Sequence, residues 1–307
     1  MFHFPPLAEQ ESFLKRIRIY DEQLSSLDSE LEKQTAYLKE LRSSLLQEAI
    51  EGRLSADWRA KHPFKKGDPE RDAASLLEAI REEKKKLVTA GKIRKEKPLA
   101  PIRKGEERFG LPEGWVWCRV AQIVQTYVDC PHATPKYLES GMTCLRSSNI
   151  CEKGLIFDER RYVSAKEFQE RIERLAPARN DIVYIREGGR LGIAGLIDQD
   201  GQFCLGQRLM LLRFLTPTTS KFAALYLNSP SVFHDIVEKT LGSAAPHVNV
   251  KDVVSHPIPL PPLAEQAFIV ARVEALLARV GELEREVTMR RELTEELMRE
   301  VLREAFA

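Results

Sequence analysis

Pro5-Pro6-Leu7-Ala8-Glu9-Gln10 returns unchanged as Pro261-Pro262-Leu263-Ala264-Glu265-Gln266. Self-similarity at a fixed period decides an architecture before any local signal does. The two copies stand 256 residues apart (261 minus 5), so one element is duplicated and the rest of the chain hangs between its copies. The match continues without a gap. Arg16 aligns with Arg272, Leu27 with Leu283, Glu30 with Glu286, Leu41 with Leu297, and Glu48-Ala49 with Glu304-Ala305.

Within each copy the apolar residues alternate steps of four and three. The first copy runs through Phe13, Ile17, Tyr20, Leu24, Leu27, Leu31, Leu38, Leu41 and Leu45. The second runs through Ile269, Val273, Leu276, Val280, Leu283, Val287, Leu297 and Val301. This spacing predicts a coiled-coil seam sustained over about five heptads, with polar lapses at Gln34, Arg290 and Thr294. Proline lacks the N–H that a helix start does not need, so each double proline marks a start. About 45 residues at 1.5 Å rise make each helix roughly 65 Å long. Equal seams predict helices that bury each other along their whole extent.

The 307 residues leave room for one or two domains and a sizeable core. Hydrophobic content of 43% and charge of 30% fit a soluble chain rich in long helices. No run of about 18 apolar residues indicates a membrane span, and Met1-Phe2-His3-Phe4 lacks a signal-peptide layout. Five cysteines (Cys118, Cys130, Cys144, Cys151, Cys204) without a C-x-x-C pair point to reduced thiols and a cytoplasmic setting. The net charge of +1 argues against a generic polyanion binder. Its distribution says more: residues 1–51 carry 6 basic and 10 acidic side chains, residues 261–307 carry 7 and 10, and residues 52–100 carry 14 and 8. The helices are acidic and the connector is basic, so contact with nucleic acid is expected to be local.

Four segments follow: a first long helix over 1–57, a basic linker with a short helix over 58–104, a compact domain over 105–260, and a second long helix over 261–307. Gly52 is the expected stop of the first helix. The linker helix is expected over Asp72–Ala90, ending in the exposed tail Lys92-Ile93-Arg94-Lys95-Glu96-Lys97-Pro98, which either stays solvated or touches phosphate. In the third segment, Leu111–Trp117, Thr143–Arg146, Asp181–Ile185 and Arg208–Arg213 read as strands, and Ser164–Leu175 and Ser220–Leu241 as helices. The fold class is therefore α+β, one mixed α/β domain at the tip of a long antiparallel two-helix coiled coil.

The chain resembles a specificity subunit of a type I restriction–modification system. The paired Pro-Pro-Leu-Ala-Glu-Gln helices are similar to that family's conserved regions. Leu111–Trp117, Cys130-Pro131-His132, Thr134-Pro135-Lys136-Tyr137, Leu145–Ile150 and Gly242–Asn249 resemble parts of its target recognition domain. A full-length subunit has two such domains. Only four residues precede Pro5 here, so the resemblance implies a half-subunit with a single recognition domain. It also implies double-stranded DNA as ligand, a modification (methyltransferase) subunit as direct partner, and a restriction subunit reached through the complex. Twofold pairing with a second copy would supply the other recognition domain; pairing with a different half-subunit, or a gene remnant, stay open.

Bases are read by hydrogen bonds to their edges, with Arg favouring guanine and Asn or Gln favouring adenine. The candidates are Arg146, Ser147, Ser148, Asn149, Arg186, Arg190, Gln207, Arg208, His247 and Asn249, with Lys136 and Ser243 as phosphate contacts. Gly188–Gly195 lacks the spacing of a phosphate-binding loop and reads as a tight strand connection. Cys130-x-His132 has no second ligand pair, so no metal is expected. No Asn/Asp-Pro-Pro-aromatic tetrad or Walker lysine occurs, and no cofactor is expected. The reading is a non-catalytic DNA-reading module; the alternative is a structural or regulatory half-subunit that occupies the modification complex without reading DNA.

Overall fold

The computed structural model describes residues 6–238, 240 and 246–306. The N-terminal part holds α1 (Leu7–Ile50), α2 (Ala56–Lys61) and α3 (Ala73–Thr89). Next come β1 (Val116–Arg119), α4 (Val120–Ile123), β2 (Val124–Asp129), β3 (Met142–Leu145), β4 (Ile150–Cys151), β5 (Gly154–Leu155), β6 (Tyr162–Val163) and α5 (Ala165–Ile172). Then follow β7 (Ile182–Ile185), β8 (Ala194–Leu196), β9 (Phe203–Leu205), β10 (Leu209–Phe214), α6 (Pro217–Leu227) and α7 (Pro230–Glu238). The last elements are α8 (Val250–Val254), β11 (Pro257–Leu260) and α9 (Leu263–Phe306). The chain divides into two compact units, residues 1–45 with 274–307, and residues 46–273.

Both copies of the repeat form helices of 44 residues that begin directly after the double proline. In the first unit burial repeats with the sequence. Leu24 and its twin Val280 are buried; Leu31 is buried and Val287 half-buried; Leu38 is half-buried and its twin Thr294 buried. Thr294 donates its hydroxyl to Arg290 O at 2.8 Å, which satisfies it without a partner helix. Val301 is half-buried.

The alternate row departs from the expected seam. Leu27, Leu41, Leu283 and Leu297 are 43%, 44%, 45% and 55% exposed. On α9 the half-buried second row is Leu277, Glu284, Arg291 and Met298, one residue further on. One residue is about 100° of helix rotation, enough to turn the leucines out. The displaced row holds the Arg42–Glu284 ion pair between α1 and α9, at 3.0 Å, which takes the contact the leucines would have had.

The second unit is built on a four-stranded antiparallel sheet in the order β2-β10-β7-β8. Its centre, Leu209-Met210-Leu211-Leu212, is apolar at every position because both faces are covered. Val183, Ile185, Leu209 and Leu211 share one core cluster with Leu145, Ile150, Ile197, Phe203 and Leu205. Ile182, Tyr184, Met210 and Leu212 alternate onto the other face and are equally buried, with α6 packed against β8 and β10. A second sheet, β6-β3-β9, pairs β3 and β9 in parallel. The helix expected over Ser220–Leu241 is two helices: Pro230, lacking an N–H, opens α7 after α6 has closed at Leu227.

Two features hold this unit's ends together. β1 and β11 form a two-stranded antiparallel ladder, Val116 with Leu260 and Arg119 with Pro257. The second Pro-Pro-Leu-Ala-Glu-Gln copy makes a buried junction. The Glu265 carboxylate accepts hydrogen bonds from Ser55 Oγ at 2.6 Å, Arg59 Nη1 at 2.5 Å and Trp115 Nε1 at 2.8 Å. Gly52 closes α1 beside it with φ 72°, and a Cβ there would meet Pro112 Cγ at 2.8 Å and Arg59 Nη1 at 2.9 Å. Glycine is required both for the left-handed backbone and for the close approach.

Candidate nucleic-acid interface

The glycine-rich stretch after β7 is a hairpin turn, with Leu191 N donating to Gly188 O at 3.0 Å and Gly192 N to Ile185 O at 2.9 Å. It is thus the tight strand connection its spacing predicts. At the base of this turn Arg186, almost fully buried, ties three segments together. Its Nη2 bonds Asp129 at the end of β2 at 3.1 Å, and its Nη1 bonds Val248 O at 3.2 Å. Its backbone N–H donates to Arg208 O at 2.8 Å, and its carbonyl accepts from Val248 N at 2.9 Å. A buried arginine whose two terminal nitrogens are paired to a carboxylate and a carbonyl is a positioning element, because those donors are already engaged.

The segments that Arg186 joins enclose a recess of about 670 Å³ lined by Asp129, His132, Glu187, Gly188, Arg208, His247 and Asn249 among others. His132 Nε2 lies 3.3 Å from Asp129. His247 pairs with Glu187 in an isolated antiparallel bridge. Asn249 precedes α8, its side-chain amide donating to Asp252 at 3.2 Å. Arg208 stands in the left-handed region with φ 77°, a conformation that costs a side-chain-bearing residue about 1–2 kcal/mol. Its side chain is 53% exposed, and Glu187 lies 4.0 Å from its Nε.

A second cluster surrounds the 3-10 turn after β3. Asn149 is buried: its Oδ1 accepts from Arg146 N at 3.0 Å, and its Nδ2 donates to Ile156 O and Glu159 O, both at 3.0 Å. With its amide fully engaged, Asn149 shapes the turn, and the turn presents Ser147 and Ser148. Arg146 leans on Glu159 and on the Tyr137 ring. Arg190 bonds Ile150 O at 2.7 Å and Ser148 O at 3.4 Å, which ties the hairpin to this turn. Further along, exposed Lys136 donates its backbone N–H to Glu167, and Gln207 bonds Thr134 Oγ1 at 3.2 Å. Ser243 lies outside the described residues.

The structure therefore brings Arg186, Arg208, His247 and Asn249 to one recess, and Arg146, Ser147, Ser148, Asn149 and Arg190 to one turn. Sequence reasoning passed over Asp129 and Glu187, the acids that organise the recess. Asp129 adjoins the Cys130-Pro131-His132 motif, and that adjacency was the available signal. Cys130 is buried, its thiol pushed up in pKa by burial, and its sulfur accepts from Leu209 N. Among the described residues no three His, Cys, Asp or Glu side chains gather as metal ligands. Nor is any described helix long and apolar enough to cross a membrane.

Comparison with known proteins follows the same lines. The family model described as type I restriction modification DNA specificity domain matches residues 136–289. The EcoAI type I specificity subunit of Escherichia coli is 28% identical over 251 residues, 79% of this chain and 40% of that protein. The EcoKI subunit of Escherichia coli strain K12 is 24% identical over 307 residues, covering 98% of this chain and 56% of that one. In fold, the chain is similar to the HsdS subunit crystal structure from Thermoanaerobacter tengcongensis, with TM-score 0.50 and 17% identity over 99% of this chain and 59% of that one. The chain thus spans about half the length of these relatives or less.

Proposed function

Because the chain belongs to the type I restriction modification DNA specificity family, we propose that it reads one half of a bipartite DNA target and carries the modification subunits. In this reading the 105–260 segment is a single target recognition domain, non-catalytic by itself; methyl transfer and cleavage come from partner subunits. Support comes from one observation above the others. Three separate segments, ending at Asp129, Glu187 and His247, converge on a recess whose exposed side chains are hydrogen-bonding types suited to base edges.

The long helices pair as an antiparallel coiled coil in this proposal, consistent with the Arg42–Glu284 ion pair. Such a pair has an approximate twofold axis normal to its plane, so residues equivalent in the repeat fall on the same face. Leu27 and Leu283 are equivalent, as are Leu41 and Leu297. All four exposed leucines then share one face, set among acidic residues. Large apolar side chains left exposed on one face among charges suit an interaction site, and we assign it to the modification subunits. A second copy, related by a twofold axis, would supply the second half-site reader.

A second reading, a structural or regulatory half-subunit, draws on a different observation. Arg146, Arg186 and Arg190, three of the four candidate arginines, all bond within the chain. A genome-wide map of methylated bases in cells that express the chain with its modification subunit separates the two. A palindromic two-part motif is expected for paired copies, and an asymmetric one for pairing with a different half-subunit. No motif at all refutes DNA reading and leaves the structural role.

A further inference from the structure

Arg208 differs from every other arginine in the candidate set. Arg146, Arg186 and Arg190 each hold a carboxylate or carbonyl of their own domain. Among the described residues the Arg208 guanidinium makes no hydrogen bond, and its ion pair with Glu187 is open at 4.0 Å. Yet the backbone under it is firmly held. Arg208 O accepts from Arg186 N at 2.8 Å, and the next residue, Leu209, is fully buried in the central strand. A bulky residue kept at φ 77° in a left-handed conformation is unusual, and such residues cluster where geometry serves a function. Across the recess mouth, Gly188 leaves the side chain room: even a Cβ there would stand 3.6 Å from Arg208 Nη1.

Resting on the reading of this segment as a DNA reader, we propose that Arg208 and Glu187 together recognise the major-groove edge of one G·C base pair. In that groove guanine offers two adjacent acceptors, N7 and O6, and its cytosine offers the N4 donor beside them. An A·T pair places the donor N6 between acceptors, so the order differs. A guanidinium fork supplies two donors and a carboxylate one acceptor. Arg208 and Glu187, neighbours across the recess, therefore present the matching donor-donor-acceptor set. An ion pair this open and half-exposed contributes little by itself, so turning both groups to a base pair costs little. Arg186 is the positioning residue, since its backbone N–H holds the carbonyl of Arg208 and its guanidinium stays on Asp129.

The test selects random duplexes with the full chain and compares it with Arg208→Asn, Arg208→Lys and Glu187→Gln. Asparagine tolerates the left-handed conformation, and lysine keeps the charge without the fork. Wild type should select a motif with an invariant G·C position. Arg208→Asn should remove about tenfold to a hundredfold discrimination at that position alone. Arg208→Lys should retain overall affinity but lose most of the same preference, and Glu187→Gln should weaken it severalfold. An unchanged motif in both Arg208 variants overturns the assignment while DNA reading stands. An equal loss for all sequences with a shallower salt dependence also overturns it, because that is the behaviour of a phosphate contact. If wild type selects no motif, the assignment falls together with the DNA-reading proposal. Circular dichroism checks each variant's fold, and if Arg208→Asn fails to fold, Arg208→Lys decides alone.

Discussion

Replacing Glu265 with alanine should loosen the second unit more than any other single change in the repeated motif. The carboxylate is 1% exposed and accepts from three donors. Their fates differ once it is gone. Ser55 Oγ falls back on Gly52 O, already 3.3 Å away. Arg59 keeps Ser55 Oγ at 2.9 Å and, with its side chain 22% exposed, rehydrates in part. Among the described residues the Trp115 indole N–H has no second acceptor, and it stays buried, at about 1–3 kcal/mol. Adding the broken buried ion pair and the small cavity brings the loss to about 3–5 kcal/mol, a large part of a typical domain's total. Glu265→Gln keeps the shape and one oxygen acceptor, loses the charge assistance, and should cost about 2 kcal/mol. Urea unfolding followed by tryptophan fluorescence measures both, with an unchanged slope showing that the unfolded state has not shifted. A loss below about 1 kcal/mol for the alanine variant, or equal losses for both variants, refutes the junction as described.

Further outcomes follow from the same geometry. The Arg119 side chain beside Glu106, with Arg103 N–H, holds that carboxyl down to about 2, below its ordinary 4.5. A depressed carboxylate stabilises the fold above its unfolded pKa, so that contribution should fade as pH drops from about 5 towards 2. With Glu106 35% exposed, the contribution is about 1 kcal/mol after solvent screening, and Glu106→Gln should remove its pH dependence in acid titration. Leu31→Ala, at a fully buried site, should cost about 2–4 kcal/mol in thermal melts, and Leu41→Ala under about 1 kcal/mol. Leu41→Glu with Leu297→Glu should leave the melt nearly unchanged and abolish co-purification with the modification subunit. Arg208→Asn should raise stability by about 0.5 kcal/mol by relieving the left-handed backbone, and a fall instead would mean the arginine side chain stabilises the turn.

The helices were legible because periodicity, proline starts and an unbroken repeat all point the same way over 44 residues. What periodicity could not fix was rotation about the helix axis. Leucines at both rows satisfy the same heptad, and the choice between them rests on Arg42 and Glu284, whose meeting spans the chain. The central strands β7 and β10 were legible as apolar runs, and β4, β5 and β6, each two residues long, were not. In the candidate site, residue type pointed to Arg186 and Asn149, but burial assigns both to holding the scaffold. Burial of a polar residue depends on partners far along the chain, and for that reason the exposed Arg208 could not be told from its buried neighbours beforehand.

The β1–β11 ladder bears on how the segment between its two strands leaves and returns. Pro257 and Pro259 alternate with Ile258 and Leu260, so the N–H groups that β11 retains belong to the residues between its prolines. Its outer edge has no donors to offer a third strand, and the Tyr226 hydroxyl occupies the Pro257 carbonyl. The excursion from Arg119 to Pro257 therefore leaves and returns through a neck that is zipped on the inside and blunt on the outside. The neck thus closes on four paired residues from each side, and β11 adds no edge on which a further strand could pair.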